Sequence, residues 1–315
     1  MRLPDYKEAR SRDKRDYKRV EFSFEESIKG KYKGKKFFLK TYGCQMNEHD
    51  SENIEALLVE LGFEKVEDYN LADLVLLNTC SIRENAHNKA FGMLGRLKHL
   101  KSQKKDLLIG LCGCMAQEAS VVEEILKDYK FVNFVFGTHN MYQLPEIIDK
   151  AIIENKQQIE VFSREGDLVE GLPVIRANDY KAYVNIIYGC DKFCTYCIVP
   201  YTRGRERSRD AHTIVREAQE LWENGYKEVT LLGQNVDSYQ WEGIDFADLL
   251  EMVAAVNPEL RVRFSTSHPK DISDEVIYTM AIYENICRHI HLPVQSGSSS
   301  MLEKMRRKYD REWYL

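Results

Sequence analysis

The sequence predicts an α/β chain in two parts: an N-terminal open parallel-sheet α/β domain, then a barrel-like series of βα units that stops short of closure. Three observations lead there. Short apolar runs alternate with amphipathic segments along most of the chain, which is how βα units feed parallel sheets. Some runs, such as Leu74-Val75-Leu76-Leu77, are apolar without interruption, as strands covered on both faces are. Cysteines and polar words recur just after these runs, at the strand carboxyl ends where open sheets and barrels build their sites.

The elements follow in order. Of 315 residues, 43 % are hydrophobic, a globular composition with material for two cores. Residues 1–33 are dense in charge of both signs (Lys14, Arg15, Asp16, Lys18, Arg19) and read as a solvated, mobile extension. In the first domain, 35–153, strands are expected at 36–41, 74–77, 107–109 and 132–136. Helices are expected there at 51–61, 86–100, 121–126 and 144–152, each with apolar residues on one face. Residues 154–179 carry Gly166, Gly171 and Pro173 and read as a linker, with room for a short strand near 159–162. From 180 to 315, strands at 182–187, 229–232, 262–265 and 289–292 alternate with helices at 211–224, 246–256, 273–283 and 298–307. That makes four βα units of an incomplete (β/α) barrel.

Composition excludes some classes. No apolar run reaches the roughly 18 residues that span a bilayer, and no apolar signal core opens the chain, so the expectation is a cytoplasmic protein with no membrane partner. A formal net charge of −5 offers no global attraction for nucleic acid, so any such site must be local. Eight cysteines in a reducing compartment read as metal ligands or reactive thiols.

Three of them, Cys190, Cys194 and Cys197, are spaced C-x3-C-x2-C. The odd number suits neither a disulfide nor structural zinc, which takes four ligands. It suits a [4Fe–4S] cube with three irons tied to protein and the fourth open to a small molecule. Cys44, Cys80 and Cys114 each follow one of the first three strands, about one βα unit apart. The fold therefore brings them to one end of a sheet. Periodicity leaves two readings there, a second three-cysteine cluster or buried free thiols.

The loop Gly189-Cys190-Asp191-Lys192-Phe193-Cys194-Thr195-Tyr196-Cys197 resembles the signature of radical S-adenosylmethionine (SAM) enzymes. The resemblance implies that SAM chelates the open iron and that an electron from the cluster splits it to a 5′-deoxyadenosyl radical. The words Thr41-Tyr42-Gly43-Cys44-Gln45-Met46-Asn47, Asn78-Thr79-Cys80-Ser81-Ile82-Arg83 and Gly113-Cys114-Met115-Ala116-Gln117 resemble the N-terminal domain of the methylthiotransferases. They imply an auxiliary [4Fe–4S] cluster on Cys44, Cys80 and Cys114 that carries or delivers sulfur, with Cys112 as packing. Gly233-Gln234-Asn235-Val236, Thr266-Ser267-His268-Pro269 and Pro293-Val294-Gln295-Ser296-Gly297 resemble motifs of the same family's radical SAM barrel. Tyr196 is then expected near the SAM adenine, and Gly233, Gln234 and Asn235 at its amino group. Plain loop packing and a plain turn are the alternatives.

Arg203, Arg205, Arg207 and Arg209 alternate, which would aim four guanidinium groups one way on an extended segment, toward RNA phosphates or the SAM carboxylate. A solvated charged stretch is the alternative. His268 and His291 are either proton carriers or structural histidines.

Tyr-Gly-Cys-Gln-Met-Asn and Asn-Thr-Cys-Ser-Ile-Arg-Glu-Asn-Ala resemble the MiaB branch of the family. This implies methylthiolation at C2 of N6-isopentenyladenosine beside the anticodon of tRNA. The implied partners are the tRNA anticodon loop, an electron donor such as a flavodoxin or ferredoxin, and a sulfur donor, with the enzyme a monomer. A ribosomal-protein methylthiotransferase and a non-catalytic iron–sulfur RNA-binding redox sensor are the alternatives. The family's barrel has six βα units and continues into a β-barrel RNA-binding module, TRAM. Four units are expected here, so the sequence reads as truncated.

Overall fold

The structure, a computed structural model, describes residues 17–81, 84–162 and 166–315. Residues 1–16 of the expected extension, Ile82 and Arg83 of the second cysteine word, and residues 163–165 of the expected linker lie outside these. The chain forms two compact units. The first comprises residues up to Ile175 together with Tyr201–Arg203, and the second Arg176–Pro200 together with Gly204–Leu315.

In the first unit six strands make one parallel sheet. Their spatial order is Glu64–Lys65, Lys36–Thr41, Leu74–Thr79, Leu108–Gly113, Phe134–Phe136 and Gln158–Glu160. The winding reverses between Lys36–Thr41 and Leu74–Thr79, a topological switch point, where open α/β sheets form their crevices. Leu74–Thr79 is buried along its whole length, and its side chains alternate between two cores. Val75 and Leu77 pack with Leu94 and Leu97 of helix Glu84–Gln103 and Val122 of helix Ala119–Asp128. Leu74 and Leu76 pack with Ile54, Leu57 and Leu58 of helix Gln45–Glu60 and Ile147 of helix Leu144–Glu154. Each such buried aliphatic side chain contributes roughly 1.5–3 kcal/mol.

Three features depart from the expected elements. The helix expected from residue 51 begins at Gln45, with Cys44 as its N-cap residue. Its first turns bury Asn47, Asp50, Ser51 and Asn53, polar side chains that apolar periodicity does not count. The short strand allowed for near 159–162 forms at 158–160, and it extends the first unit's sheet past the expected domain boundary at 153 as its sixth strand. The described part of the N-terminal extension is largely exposed, as expected, but it is pinned to the fold at a few points rather than mobile along its length. Arg19–Glu21 pairs in parallel with Leu168–Glu170, Tyr32 stacks on Phe63 with ring centroids 4.8 Å apart, and Phe22 and Phe24 join the adjoining core. Scattered aromatic anchors tie this segment down without a periodic pattern.

The second unit holds a three-stranded parallel sheet in the order Arg261–Ser265, Glu228–Leu232, Lys181–Asn185. Helices Ala211–Glu223, Phe246–Ala254 and Asp274–Ile282 pack on it through Ile214, Leu249, Leu250 and Val276. Each helix starts at a capping side chain. Asp210 accepts from His212 N and Thr213 N, Asp245 and Asp248 form a reciprocal capping box, and Ser273 accepts from Val276 N.

The fourth strand, expected at 289–292, does not form. The chain meets the third strand through a bridge between Ile286 and Val262 and through Ser267 N–H donating to His291 O at 3.1 Å. His289 and His291 are exposed and Pro293 lacks a donor, so little holds this segment in a ladder. The last expected helix shortens to Ser299–Lys304, ended by Arg306 and Lys308 at φ of 58° and 62°. Among the described residues no helix is long and apolar enough to cross a membrane.

Candidate iron–sulfur and SAM sites

In the first unit, parallel register sets Thr41 opposite Asn78 and Thr79 opposite Gly113. The residues that follow these three strands therefore gather at one end of the sheet. Cys44 caps helix Gln45–Glu60, Cys80 follows Leu74–Thr79, and Cys114 opens the turn Cys114–Gln117. Gly113 makes the last placement possible. Its φ is 90°, and a Cβ there would stand 2.4 Å from Thr79 O. A buried amide network fixes the strand ends. Asn47 Nδ2 donates to Asn78 Oδ1 and to Thr79 O, both at 3.1 Å. Asn78 Nδ2 in turn donates to Asn47 O and to Ser51 Oγ, both at 2.9 Å.

The three thiols sense one another. A hydrogen bond from Cys80 brings the Cys44 thiol down to about 5 against the resistance of burial, helped by the Arg203 charge and by the Asn47 and Met46 amides at the helix start. Burial pushes Cys114 up, the Arg203 charge pulls it back, and the Cys44 charge adds to the rise. Arg203 itself is buried. Its Nε–H donates to Cys114 Sγ at 3.2 Å, and its Nη2 pairs with Asp50 Oδ2 at 2.6 Å. Cys112 is fully buried among Leu74, Leu76 and Phe134, which supports a packing role.

In the second unit, Cys190, Cys194 and Cys197 lie on one loop, braced by residues 204–206 and 304–307. Gly189 enters it at φ 79°, where a Cβ would meet Arg205 O at 2.1 Å, and Phe193 also takes a positive φ of 47°. Cys190 N–H donates to Gly204 O at 3.1 Å and Cys197 N–H to Cys194 O at 3.0 Å. Asp191 and Glu206 exchange backbone-to-carboxylate bonds of 3.1 and 3.2 Å. Arg307 Nη1 donates to Cys194 Sγ at 3.3 Å, and its other nitrogens donate to Tyr309 Oη and Pro293 O. Burial pushes the Cys190 and Cys197 thiols up, and each is raised further by its neighbouring cysteines.

Beside the loop is a polar cluster at the strand ends. Lys192 Nζ pairs with Asp271 Oδ2 at 2.5 Å, and Asn235 Nδ2 donates to the same oxygen at 2.6 Å. Asp237 accepts from His268 N at 2.8 Å and from Ser267 Oγ at 3.2 Å. Burial, with the Arg307 charge, lowers His268 to about 4, and burial raises Asp237 to about 6. Asn235 Oδ1 and His268 Nε2 are buried without a hydrogen-bond partner among the described residues. Gly233 packs against Ile187, Gln234 is half-buried, and Tyr196 stands half-exposed on the loop.

These donor sets fit the groups that the sequence implies. Among the described residues no three His, Cys, Asp or Glu side chains converge to hold a single metal ion. Two sets of three thiols, each with a guanidinium on one sulfur, suit polynuclear clusters, in which each cysteine takes its own iron and the anionic sulfurs accept hydrogen bonds. The orphaned polar atoms of Asn235 and His268 suit a polar ligand such as SAM.

The four alternating arginines do not share a face. Arg203 reaches Cys114, Arg205 pairs with Asp191 at 3.0 Å, Arg209 pairs with Glu217 at 2.9 Å, and Arg207 is buried. Only residues 207–208 of the segment form a strand. Residue patterns missed Asp50, Asp237, Asp271, Lys192 and Arg307. The signal available for them was charge close to cysteine or strand-end words, which does not say which partner each charge meets.

Two family models match the chain, one in each part. Residues 36–137 match the family described as uncharacterized protein family UPF0004, and residues 184–315 match the Radical SAM superfamily. A tRNA-2-methylthio-N(6)-dimethylallyladenosine synthase of Geobacillus kaustophilus is 52 % identical over 99 % of this chain and 60 % of its own length. One of Staphylococcus epidermidis is 54 % identical over 99 % of this chain and 62 % of its own. The chain is thus similar along nearly its whole length to these two synthases, and its second part carries the Radical SAM match. It spans about 60 % of the length of these curated relatives. Its fold is similar to that of the radical SAM methyltransferase TsrM from Kitasatospora setae, with a TM-score of 0.59 at 15 % identity, covering 89 % of this chain and 64 % of that one.

Proposed function

We propose that this chain inserts a methylthio group at C2 of N6-isopentenyladenosine in tRNA, with two [4Fe–4S] clusters and SAM as cofactors. The observation that carries the reading is the pair of three-thiol sites, one in each unit, both at strand carboxyl ends. The names of the relatives support the substrate. Cys44, Cys80 and Cys114 hold the sulfur-carrying cluster, and Cys190, Cys194 and Cys197 the SAM cluster. When bound, these groups supply one-electron and sulfur-transfer chemistry. An aromatic C–H has no acidic proton and no leaving group, so acid–base catalysis alone has nothing to act on.

The chain's own residues position and exclude. Tyr196, Gly233, Gln234 and Asn235 frame the SAM pocket. Burial keeps His268 neutral, so its Nε2 offers one hydrogen bond without a charge. Lys192 and Asp271 hold the loop to the strand ends. The target is an anticodon loop, where bases can be splayed out of the stack. The setting is the cytoplasm, with the protein a monomer served by a flavodoxin or ferredoxin and by a sulfur donor.

The test is mass spectrometry of anticodon-loop nucleosides from a strain lacking the gene. Loss of 2-methylthio at the isopentenyladenosine is expected. Unchanged content, or a methylthio group lost from a ribosomal protein instead, overturns the assignment.

A further inference from the structure

We infer that Arg203 and Asp50 form a charge device that positions and tunes the cluster on Cys44, Cys80 and Cys114. This rests on the cluster reading above. Arg203 is 4 % exposed, and its side chain divides between two partners, Cys114 Sγ at 3.2 Å and Asp50 Oδ2 at 2.6 Å. A buried ion pair by itself stabilises little, because desolvation offsets the attraction. A role in stability therefore leaves the sulfur contact unexplained. Placement adds to the case. Asp50 lies on the helix that Cys44 caps, so one rigid element carries both a ligand and the anchor of the guanidinium. Thr138 Oγ1 donates to Thr202 O at 2.5 Å, which fixes the backbone next to Arg203 against this same unit. The side chain is thus held at both ends and aimed at one ligand sulfur.

Hydrogen bonds to cluster sulfurs and nearby net charge set cluster potentials. The Nε–H of Arg203 withdraws electron density from Cys114 Sγ and favours the reduced cluster. The Asp50 carboxylate holds the guanidinium in place and also offsets part of its charge. The two residues therefore act on the potential with opposite sign. Both are positioning residues, since neither touches substrate.

The experiment uses the full chain with Cys190, Cys194 and Cys197 changed to Ala, so that all bound iron belongs to the other site. After anaerobic reconstitution, the cluster is titrated redox-potentiometrically by electron paramagnetic resonance. R203Q is expected to shift the potential negative, R203K to shift it less in the same direction, and D50N to shift it positive. If R203Q does not fold, the opposite signs of R203K and D50N carry the test. Potentials equal to the parent's, or shifts of Arg203 and Asp50 variants in one direction, overturn the inference. If the parent itself binds no iron, the cluster reading fails and the inference with it.

Discussion

Cys190, Cys194 and Cys197 sit on one loop that folds back on itself, whereas Cys44, Cys80 and Cys114 come from the ends of three strands of a sheet. The loop site is built from local backbone: two positive-φ residues and a turn from Cys197 N to Cys194 O. The strand-end site is built from register, because parallel pairing decides which residues leave the sheet together. Beneath that difference the two share devices. Cys190 and Cys114 each follow a positive-φ glycine, and in each site one sulfur accepts from a buried arginine. Those arginines differ in anchoring. Arg203 is tied to a carboxylate, while Arg307 is held by Tyr309 Oη and Pro293 O. The Arg203 charge is thus partly offset by its own anchor, whereas the anchors of Arg307 are neutral.

The largest expected effect comes from removing either cysteine set. Changing Cys190, Cys194 and Cys197 to Ala should abolish SAM cleavage. Changing Cys44, Cys80 and Cys114 to Ala should leave SAM cleavage intact and abolish methylthio transfer. Each should lower bound iron from about eight to about four per chain. Iron analysis with 5′-deoxyadenosine quantification checks this, and coincident loss of both activities in either variant would break the separation of the sites.

Next in size are the two glycines. Gly189→Ala and Gly113→Ala each combine a left-handed φ with a backbone collision, and should cost about 3 kcal/mol or more in denaturant titration. G189A should lose iron from the loop site alone, because the collision is with the backbone of Gly204 and Arg205 that braces this loop. G113A strikes Thr79, inside the sheet, and should destabilise the first unit whether or not iron is present.

The third prediction concerns pH and is confined to the second unit. His268 titrates lower when folded, at about 4, so the unfolded chain takes its proton first. Its contribution is fully present above about pH 6.5 and is lost as pH falls toward 4. Asp237 titrates higher when folded, at about 6. Its protonation favours the fold, so stability is gained as pH falls from 6 to 4. Each effect is at most about 3 kcal/mol, and over this window they oppose each other. H268Q should gain stability on acidification relative to the parent, and D237N should lose it more steeply. Urea midpoints at pH 7, 5 and 4 measure this, and parallel curves for the two variants would refute the opposition.

The smallest effect is a control. D210A removes the acceptor of His212 N at 2.8 Å and Thr213 N at 3.3 Å, and should cost about 1 kcal/mol without changing iron at either site. Iron loss in this variant would mean that the glycine effects report stability rather than site geometry.

The contrast between the sites also explains what could be read without coordinates. The C-x3-C-x2-C loop is legible because its ligands are neighbours in sequence. The order of strands and helices is legible because burial of one face imposes a local period, and the strands at 228–232 and 261–265 emerge within one residue of their apolar runs. Gly-Cys at 113–114 and 189–190 shows where sharp turns lie. The early start of helix Gln45–Glu60 is hidden because its buried face there is polar, satisfied by Asn78, Thr79 and Arg203 from elsewhere in the chain. The two-residue edge strand Glu64–Lys65 is too short for any period. At 289–292 an apolar spacing was present but the pairing was not, since a strand is made by its neighbour's ladder rather than by its own residues.

By itself, the sequence determined which residues can ligate and on which local elements they stand, because thiol chemistry, turn chemistry and apolar period are properties of neighbouring residues. Tertiary structure decided which charge meets which sulfur. Arg203 lies 89 residues from Cys114 and Arg307 lies 113 from Cys194, and no local rule relates them. Those contacts exist because packing excludes water and forces each buried guanidinium onto the acceptors that the fold leaves within reach.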